Sequence, residues 1–120
     1  MVLVTEPTFP GCMIEARPIG LFKMWDEKGP DAKILCIPVK DPLWNHFYAL
    51  NEVNPHLLKE IEHFFKIYKD LEKKKTGIEG WDNLAAAIRT IEESKERFLK
   101  KNLASKKKLT TLLTRVSGHE

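Results

Sequence analysis

The stretch that follows Asn54-Pro55 limits the fold more than any other. Leu57, Leu58, Ile61, Phe64, Phe65, Tyr68 and Leu71 recur at spacings of three and four, which gathers them on one side of an α-helix. Lys59, Glu60, Glu62 and Lys69 fall mostly between them. Asn54 is a good N-cap, and Pro55 suits the first helical position, where a backbone N–H has no partner to lose. The helix frays in "EKKKTG", with Gly77 as its stop. A helix with one apolar side needs another element to cover it, and the residues before it are β-like.

"MVLVT" is a short β-prone run, halted by the prolines and glycine of "EPTFPGC". "CMIEARPIGLFKMW" reads as a strand pair or one bent strand, with Met13, Glu15 and Arg17 on one parity and Ile14 and Ala16 on the other. Pro18 cannot donate to a ladder and marks an edge or bend, and Gly20 predicts a bulge or a close backbone approach. "DEKGPDA" is a turn, since Gly29-Pro30 breaks regular structure, and "KILCIPV" is a mostly apolar strand. "KDPLWNHFYALNEVN" is a loop anchored by Trp44, Phe47 and Tyr48. Trp81 and Asp82 are expected to open a second helix, with Leu84, Ala87, Ile88, Ile91 and Phe98 as its core side. Strands followed by helices predict an α+β chain, with the helices packed on a small antiparallel sheet or partial barrel. "SKKKLTTLLTRVSGHE" shows no packing pattern and is expected to be a frayed or mobile tail.

With 120 residues, 42% of them apolar and 31% charged, the chain suits one soluble domain with a modest core. No apolar run approaches the roughly 20 residues of a membrane span, and the first residues lack the basic and long apolar regions of a signal peptide. Cys12 and Cys36 are isolated, which fits a reducing compartment. A cytoplasmic protein without a membrane partner is the expectation. The net charge of +3 is unevenly spread: residues 95–115 hold eight Lys/Arg and one acid. The remainder is acidic by four, so a nucleic-acid role would rest on that basic end alone. The end lacks interleaved aromatics for base stacking, so no nucleic-acid partner is expected.

Asp26 and Asp31 stand five apart around Gly29-Pro30, with Lys33 on the same strand parity as Asp31. Mg²⁺ takes oxygen ligands, often one or two carboxylates with water and substrate phosphate. A lysine beside a metal-bound phosphate would act as a point cation. Spacing by itself favours a solvated hairpin with a surface ion pair, since charged turns are the rule on surfaces. Tyr68 and Lys69 close the apolar side of the helix, either as a core-edge tyrosine with a solvated lysine or as phosphate contacts. His46, His56, His63 and His119 have no metal-like spacing and read as structural or solvated. Cys36 sits in an apolar strand and reads as a small hydrophobe. No Gly-rich phosphate loop, GxSxG elbow or HExxH is present.

Three segments then carry a resemblance: "EPTFPGCMIEARPIGLFKMWDEKGPDAKILCIPVKDP", "LLKEIEHFFKIYKDLE" and "GWDNLAAAIRTIEESKERF". From about Val2 to Lys101 the chain closely resembles the soluble family I inorganic pyrophosphatases. The resemblance implies an OB-like antiparallel barrel with flanking helices and Mg²⁺-dependent hydrolysis of pyrophosphate to two phosphates. It implies that Asp26 and Asp31 bind metal. It assigns Lys33, Tyr68 and Lys69 to phosphate, and metal-activated water as the nucleophile.

The same resemblance shows a departure. The family carries a D-G-D-P-L-D-type signature just before its "VLV" strand, including the residue that activates the water. Met1 stands near its last aspartate, and none of the three occurs here. The expectation is therefore the C-terminal part of a pyrophosphatase: a partial barrel and two packed helices over 1–104, then a basic tail over 105–120. No residue for nucleophile activation is retained. Such a chain is expected to be weakly active or inactive, or to serve as a non-catalytic module beside a complete subunit. The family also implies homo-oligomers, hexameric in bacteria.

Overall fold

The computed structural model describes residues 1–117. Backbone contacts divide the chain into a unit spanning Met1–Ile88 and a second that begins at Arg89. The first unit holds strands β1 (Ala16–Asp26), β2 (Gly29–Pro38) and β3 (Gly77–Asp82), a short 3-10 turn (Leu50–Glu52) and helix α1 (Pro55–Leu71). Helix α2 (Leu84–Ser117) starts in the first unit and supplies the second. The sheet is antiparallel in the order β2-β1-β3, so the chain is α+β, as the order of patterns predicts.

β1 is one bent strand. Its register against β2 shifts between Pro18 and Gly20, so that Ile19 is the extra residue, and it is fully buried. A Cβ on Gly20 would come within 2.7 Å of Leu50 Cδ1. Gly20 is thus both the bulge and the close approach that its place in the sequence predicts. "MVLVT" contributes less than a strand. Val2 forms an isolated parallel bridge to Cys36, held by Cys36 N–H to Met1 O at 2.8 Å and Leu3 N–H to Cys36 O at 3.1 Å.

The β1–β2 turn falls one step earlier than Gly29-Pro30 suggests. Glu27 and Lys28 form it, while Gly29 and Pro30 already pair with Asp26 and Trp25. Gly29 takes a φ of +114°, which a glycine adopts without a Cβ penalty.

β3 corrects the expectation that Trp81 and Asp82 open a helix. Both end a strand whose ladder runs Leu21↔Asp82, Phe22↔Trp81, Lys23↔Gly80, Met24↔Ile78 and Trp25↔Gly77. "GIEGWD" is too short and too glycine-rich to declare itself locally; pairing with β1 makes it a strand. Gly80 has a φ of +104° at the register shift, and Gly77 lies so close under the Trp25 indole that a side chain would collide with it. The helix begins at Leu84, behind Asn83, whose Oδ1 accepts from Ala86 N at 3.0 Å as an N-cap does.

α1 begins as its sequence predicts, with Asn54 Oδ1 accepting from His56 N at 2.9 Å and Pro55 in the first turn. Leu57, Leu58 and Ile61 pack on the cluster of Ile19, Leu35, Ile37 and Val53, joined by Trp44, Phe47 and Leu50. The stripe is not uniformly covered: Phe64, Tyr68 and Leu71 are exposed. The other side of β1 meets α2's first turn through Leu21, Ala86 and Ala87. β1 is therefore covered on both faces, and Ile19, Leu21, Phe22 and Met24 are buried in succession. Among the predicted core residues of α2, Ala87 is buried, Leu84 and Ile91 are half-buried, and Ile88 and Phe98 are exposed.

Residues 105–117 continue α2 where the sequence predicts a frayed tail. Lys, Leu and Thr follow one another there without Gly or Pro, so nothing in the backbone stops the helix. The rest of the expected tail, with His119, lies outside the described residues. Among the described residues no helix is long and apolar enough to cross a membrane.

Candidate functional site

The β1–β2 hairpin and the last turns of α1 bring four charged side chains together. Asp26 ends β1. Asp31 and Lys33 lie two apart on β2 and share a face. Lys69 comes from α1, one turn after Phe65. Lys33 Nζ lies 3.2 Å from both Asp31 oxygens. Lys69 Nζ lies 3.8 Å from Asp26 Oδ2 and 3.9 Å from Asp31 Oδ2. Asp26 Oδ1 accepts from Lys28 N at 2.8 Å across the turn, which fixes that carboxylate and leaves its second oxygen toward Lys69.

An aromatic stack supports the group. Lys33 Nζ sits 5.0 Å over the Phe65 ring, a cation–π distance. Phe65 stacks on Phe22 with centroids 5.6 Å apart, and Phe22 meets Trp81 at 5.0 Å. Phe22 is fully buried, so the lysine platform is tied to the core. Sequence spacing places Phe65 on the apolar side of α1 but does not reveal that it underlies Lys33. The available signal is its position four residues before Lys69, which puts both on one side of the helix.

These charges are partly withdrawn from water. Lys69 is 12% exposed, Asp26 18%, Lys33 24% and Asp31 29%. Two anions and two cations balance, yet the contacts differ in commitment. Lys33 is bound to Asp31, whereas Lys69 stands between two carboxylates at distances longer than a good hydrogen bond. The set can present carboxylate oxygens to a hard cation and ammonium groups to an oxyanion.

Asp26 and Asp31 fit one Mg²⁺ by donor type, because that ion is commonly held by one or two carboxylates with water and substrate oxygens completing the octahedron. Binding would require the Lys69 ammonium to leave its place between them. They do not make a multi-metal cage: among the described residues no group of three or more His, Cys, Asp or Glu side chains converges.

The structure thus joins Asp26, Asp31, Lys33 and Lys69, four of the five residues singled out in the sequence. The fifth, Tyr68, is about half exposed and stacks on Phe64 with centroids 6.0 Å apart. Nearby, Glu72 pairs with Lys74 at 3.3 Å, and its carboxyl is held below its ordinary range by Lys74 first and Tyr68 second. Of the histidines, His46 packs on Phe47 at 4.3 Å and His56 pairs with Glu60 at 3.2 Å. Cys36 is half-buried, and that burial pushes its thiol up, opposed by the nearby N-terminal ammonium.

Comparison with known proteins gives one consistent result. Residues 1–99 match the family model described as inorganic pyrophosphatase. A protein of Methanosarcina acetivorans named inorganic pyrophosphatase is 54% identical over 102 residues, covering 85% of this chain and 61% of the relative. Its namesake from Methanosarcina mazei is 52% identical, covering 82% and 58%. Among solved structures, the inorganic pyrophosphatase of Helicobacter pylori superposes with a TM-score of 0.76 at 29% identity, covering 82% of this chain and 60% of that one. The Thermus thermophilus structure gives 0.70 at 37% identity, covering 74% and 53%. The chain therefore spans about three-fifths of the length of the curated relatives it matches.

Proposed function

This chain belongs to the inorganic pyrophosphatase family, and from that premise we propose that its charged hairpin is one side of a site for pyrophosphate and Mg²⁺. The observation that carries the reading is the convergence of Asp26, Asp31, Lys33 and Lys69 from three separate elements. A bound Mg²⁺, held by Asp26 and Asp31, would shield phosphate charge and acidify water.

The chain's own residues do the rest. Lys33 and Lys69 bring positive charge to the phosphate oxygens. Asp31 holds Lys33 in place before substrate arrives, and the Phe65 ring sets the height of its ammonium. With a cation on Asp26 and Asp31, Lys69 would be free to reach a phosphate oxygen. Tyr68, next in the chain and exposed, adds a hydroxyl at the rim.

The same donor set predicts weak chemistry for the 120-residue chain alone. Two carboxylates hold one divalent cation, and a tetra-anion with its attacking water calls for several. We place the protein in the cytoplasm. The binding domain is assigned to residues 1–104, and an oligomer is the form in which a shared site would be completed.

Two measurements test this. Calorimetric titration with pyrophosphate should show binding that requires Mg²⁺ and weakens by about tenfold or more in Asp26→Asn/Asp31→Asn, as the loss of charged contacts implies. Binding indifferent to both Mg²⁺ and the double substitution would overturn the site. A phosphate-release assay should find turnover more than about a hundredfold below a full-length relative. Comparable turnover would sink the claim of weak activity while leaving the site intact.

A further inference from the structure

We propose that the distal part of α2, from Arg97 to Arg115, docks on an anionic lipid surface. This segment holds seven Lys/Arg and no acid. Six of its seven cations gather on one side of the helix and its apolar groups on the other. Arg97, Lys101, Lys108 and Arg115 recur at spacings of four and seven, with Lys100 and Lys107 alongside. Phe98, Leu109 and Leu112 recur at eleven and three, which puts them together on another side, flanked by Leu99 and Leu103. All five apolar groups are well exposed: Phe98 64%, Leu99 60%, Leu103 60%, Leu109 59% and Leu112 57%. Lys106 falls within the apolar side, between Leu99 and Leu113 around the helix, and its aliphatic stem can lie along that side with the ammonium carried outward.

The threonine hydroxyls of the segment are already satisfied within the helix. Thr110 donates to Lys106 O, Thr111 to Lys107 O and Thr114 to Thr110 O, each at 2.9 Å. Pressing that side against acyl chains therefore strips no hydroxyl of its partner. A cationic helix with Leu and Phe on its other side lies in the plane of a bilayer interface and needs no spanning run.

Charge selects this occupant over two others. A second copy of the segment would set seven cations against seven, with help from Glu92, Glu93 and Glu96 only in an antiparallel overlap. A nucleic acid would neutralise the cations but leave the leucines in water, and the segment has no run of aromatics to stack on bases. An anionic bilayer answers both sides at once. The family match ends at residue 99, so most of this surface, from Lys100 on, lies beyond the part that the family model covers.

Vesicle flotation with the full chain tests the proposal. Neutral vesicles of phosphatidylcholine are compared with vesicles containing about 30% phosphatidylserine at about 0.1 M salt. The expected result is capture by the anionic vesicles alone, weakened by salt. Leu109→Glu/Leu112→Glu and Lys101→Glu/Lys108→Glu should each weaken it by about tenfold or more, while Lys101→Arg/Lys108→Arg preserves it. The lysine pair keeps the test decisive should the leucine pair lose helicity by circular dichroism. Equal capture by both vesicles, or capture insensitive to the leucine pair with helicity intact, overturns the proposal. So does an absence of capture, whether accompanied by self-association that the leucine pair abolishes or by salt-sensitive binding to duplex DNA.

Discussion

The hairpin site and the distal part of α2 are made from the same kinds of residue, lysines beside apolar side chains, and they behave oppositely. At the hairpin, Lys33 and Lys69 meet Asp31 and Asp26, and every member is less than one-third exposed. The aromatic beneath them, Phe65, is locked to buried Phe22. Along distal α2, cations face no acids, and Phe98 with its neighbouring leucines is open to solvent. Opposite charges converging from three elements make a site of fixed geometry, whereas like charges along one helix make a field. The first discriminates by position and the second by overall charge.

The sharpest way to break this comparison is to truncate an aromatic in each region. Phe22→Ala removes the fully buried base of the lysine platform and should cost about 3–5 kcal/mol. Phe98→Ala removes a ring that is mostly in water and should stay within about 0.5 kcal/mol. Urea denaturation of the two variants reads both values; equal losses would mean that the distal helix has a covered core side after all.

A smaller effect separates the two kinds of lysine. Lys69→Met leaves Asp26 and Asp31 facing each other without their shared cation and should destabilise by about 1 kcal/mol, while Lys107→Met should be neutral. The same Lys69→Met variant should bind Mg²⁺ more tightly in the absence of phosphate, since nothing competes for the carboxylates. Calorimetry showing weaker Mg²⁺ binding would remove Lys69 from its assigned place between them.

Within β2, Cys36 supplies a pH-dependent check. Burial raises its folded-state pKa, so the native state holds this proton more firmly than the unfolded chain does. Its contribution to stability is fully present below the unfolded thiol pKa and is lost as pH rises through the folded value. Iodoacetamide near pH 8.5 should accordingly label Cys36 more slowly than Cys12; the reverse order would contradict the burial. The smallest effect expected is at the foot of distal α2. Glu92→Gln breaks an exposed pair with Lys95 at 3.2 Å and should cost a few tenths of a kcal/mol, vanishing in high salt.

Much of the first unit was legible because its cues are local. The Asn54-Pro55 cap, the α1 stripe and the Pro18–Gly20 bend each depend on neighbours within a few residues, and each is found where its sequence places it. β3 was not legible. Its glycines suit a loop, and its strand geometry exists only because β1 offers an unpaired edge and Trp25 leaves room for no side chain at Gly77. The helical state of distal α2 is not legible for the converse reason. A helix can persist through favourable backbone propensity without the packing pattern that normally announces one.

The candidate site divides in the same way. The sequence by itself determined which groups were available, two aspartates, two lysines and a tyrosine, and through its resemblance which family they belong to. That information is chemical and local, and it survives without coordinates. Only the tertiary structure decided that Lys69 crosses from α1 to stand between Asp26 and Asp31, that Phe65 carries Lys33, and that Tyr68 stays half exposed against Phe64. The physical reason is that such contacts depend on how a helix is seated on a sheet. That seating is set by Leu57, Leu58 and Ile61 against Ile19, Leu35 and Ile37, not by the charged residues it happens to bring together.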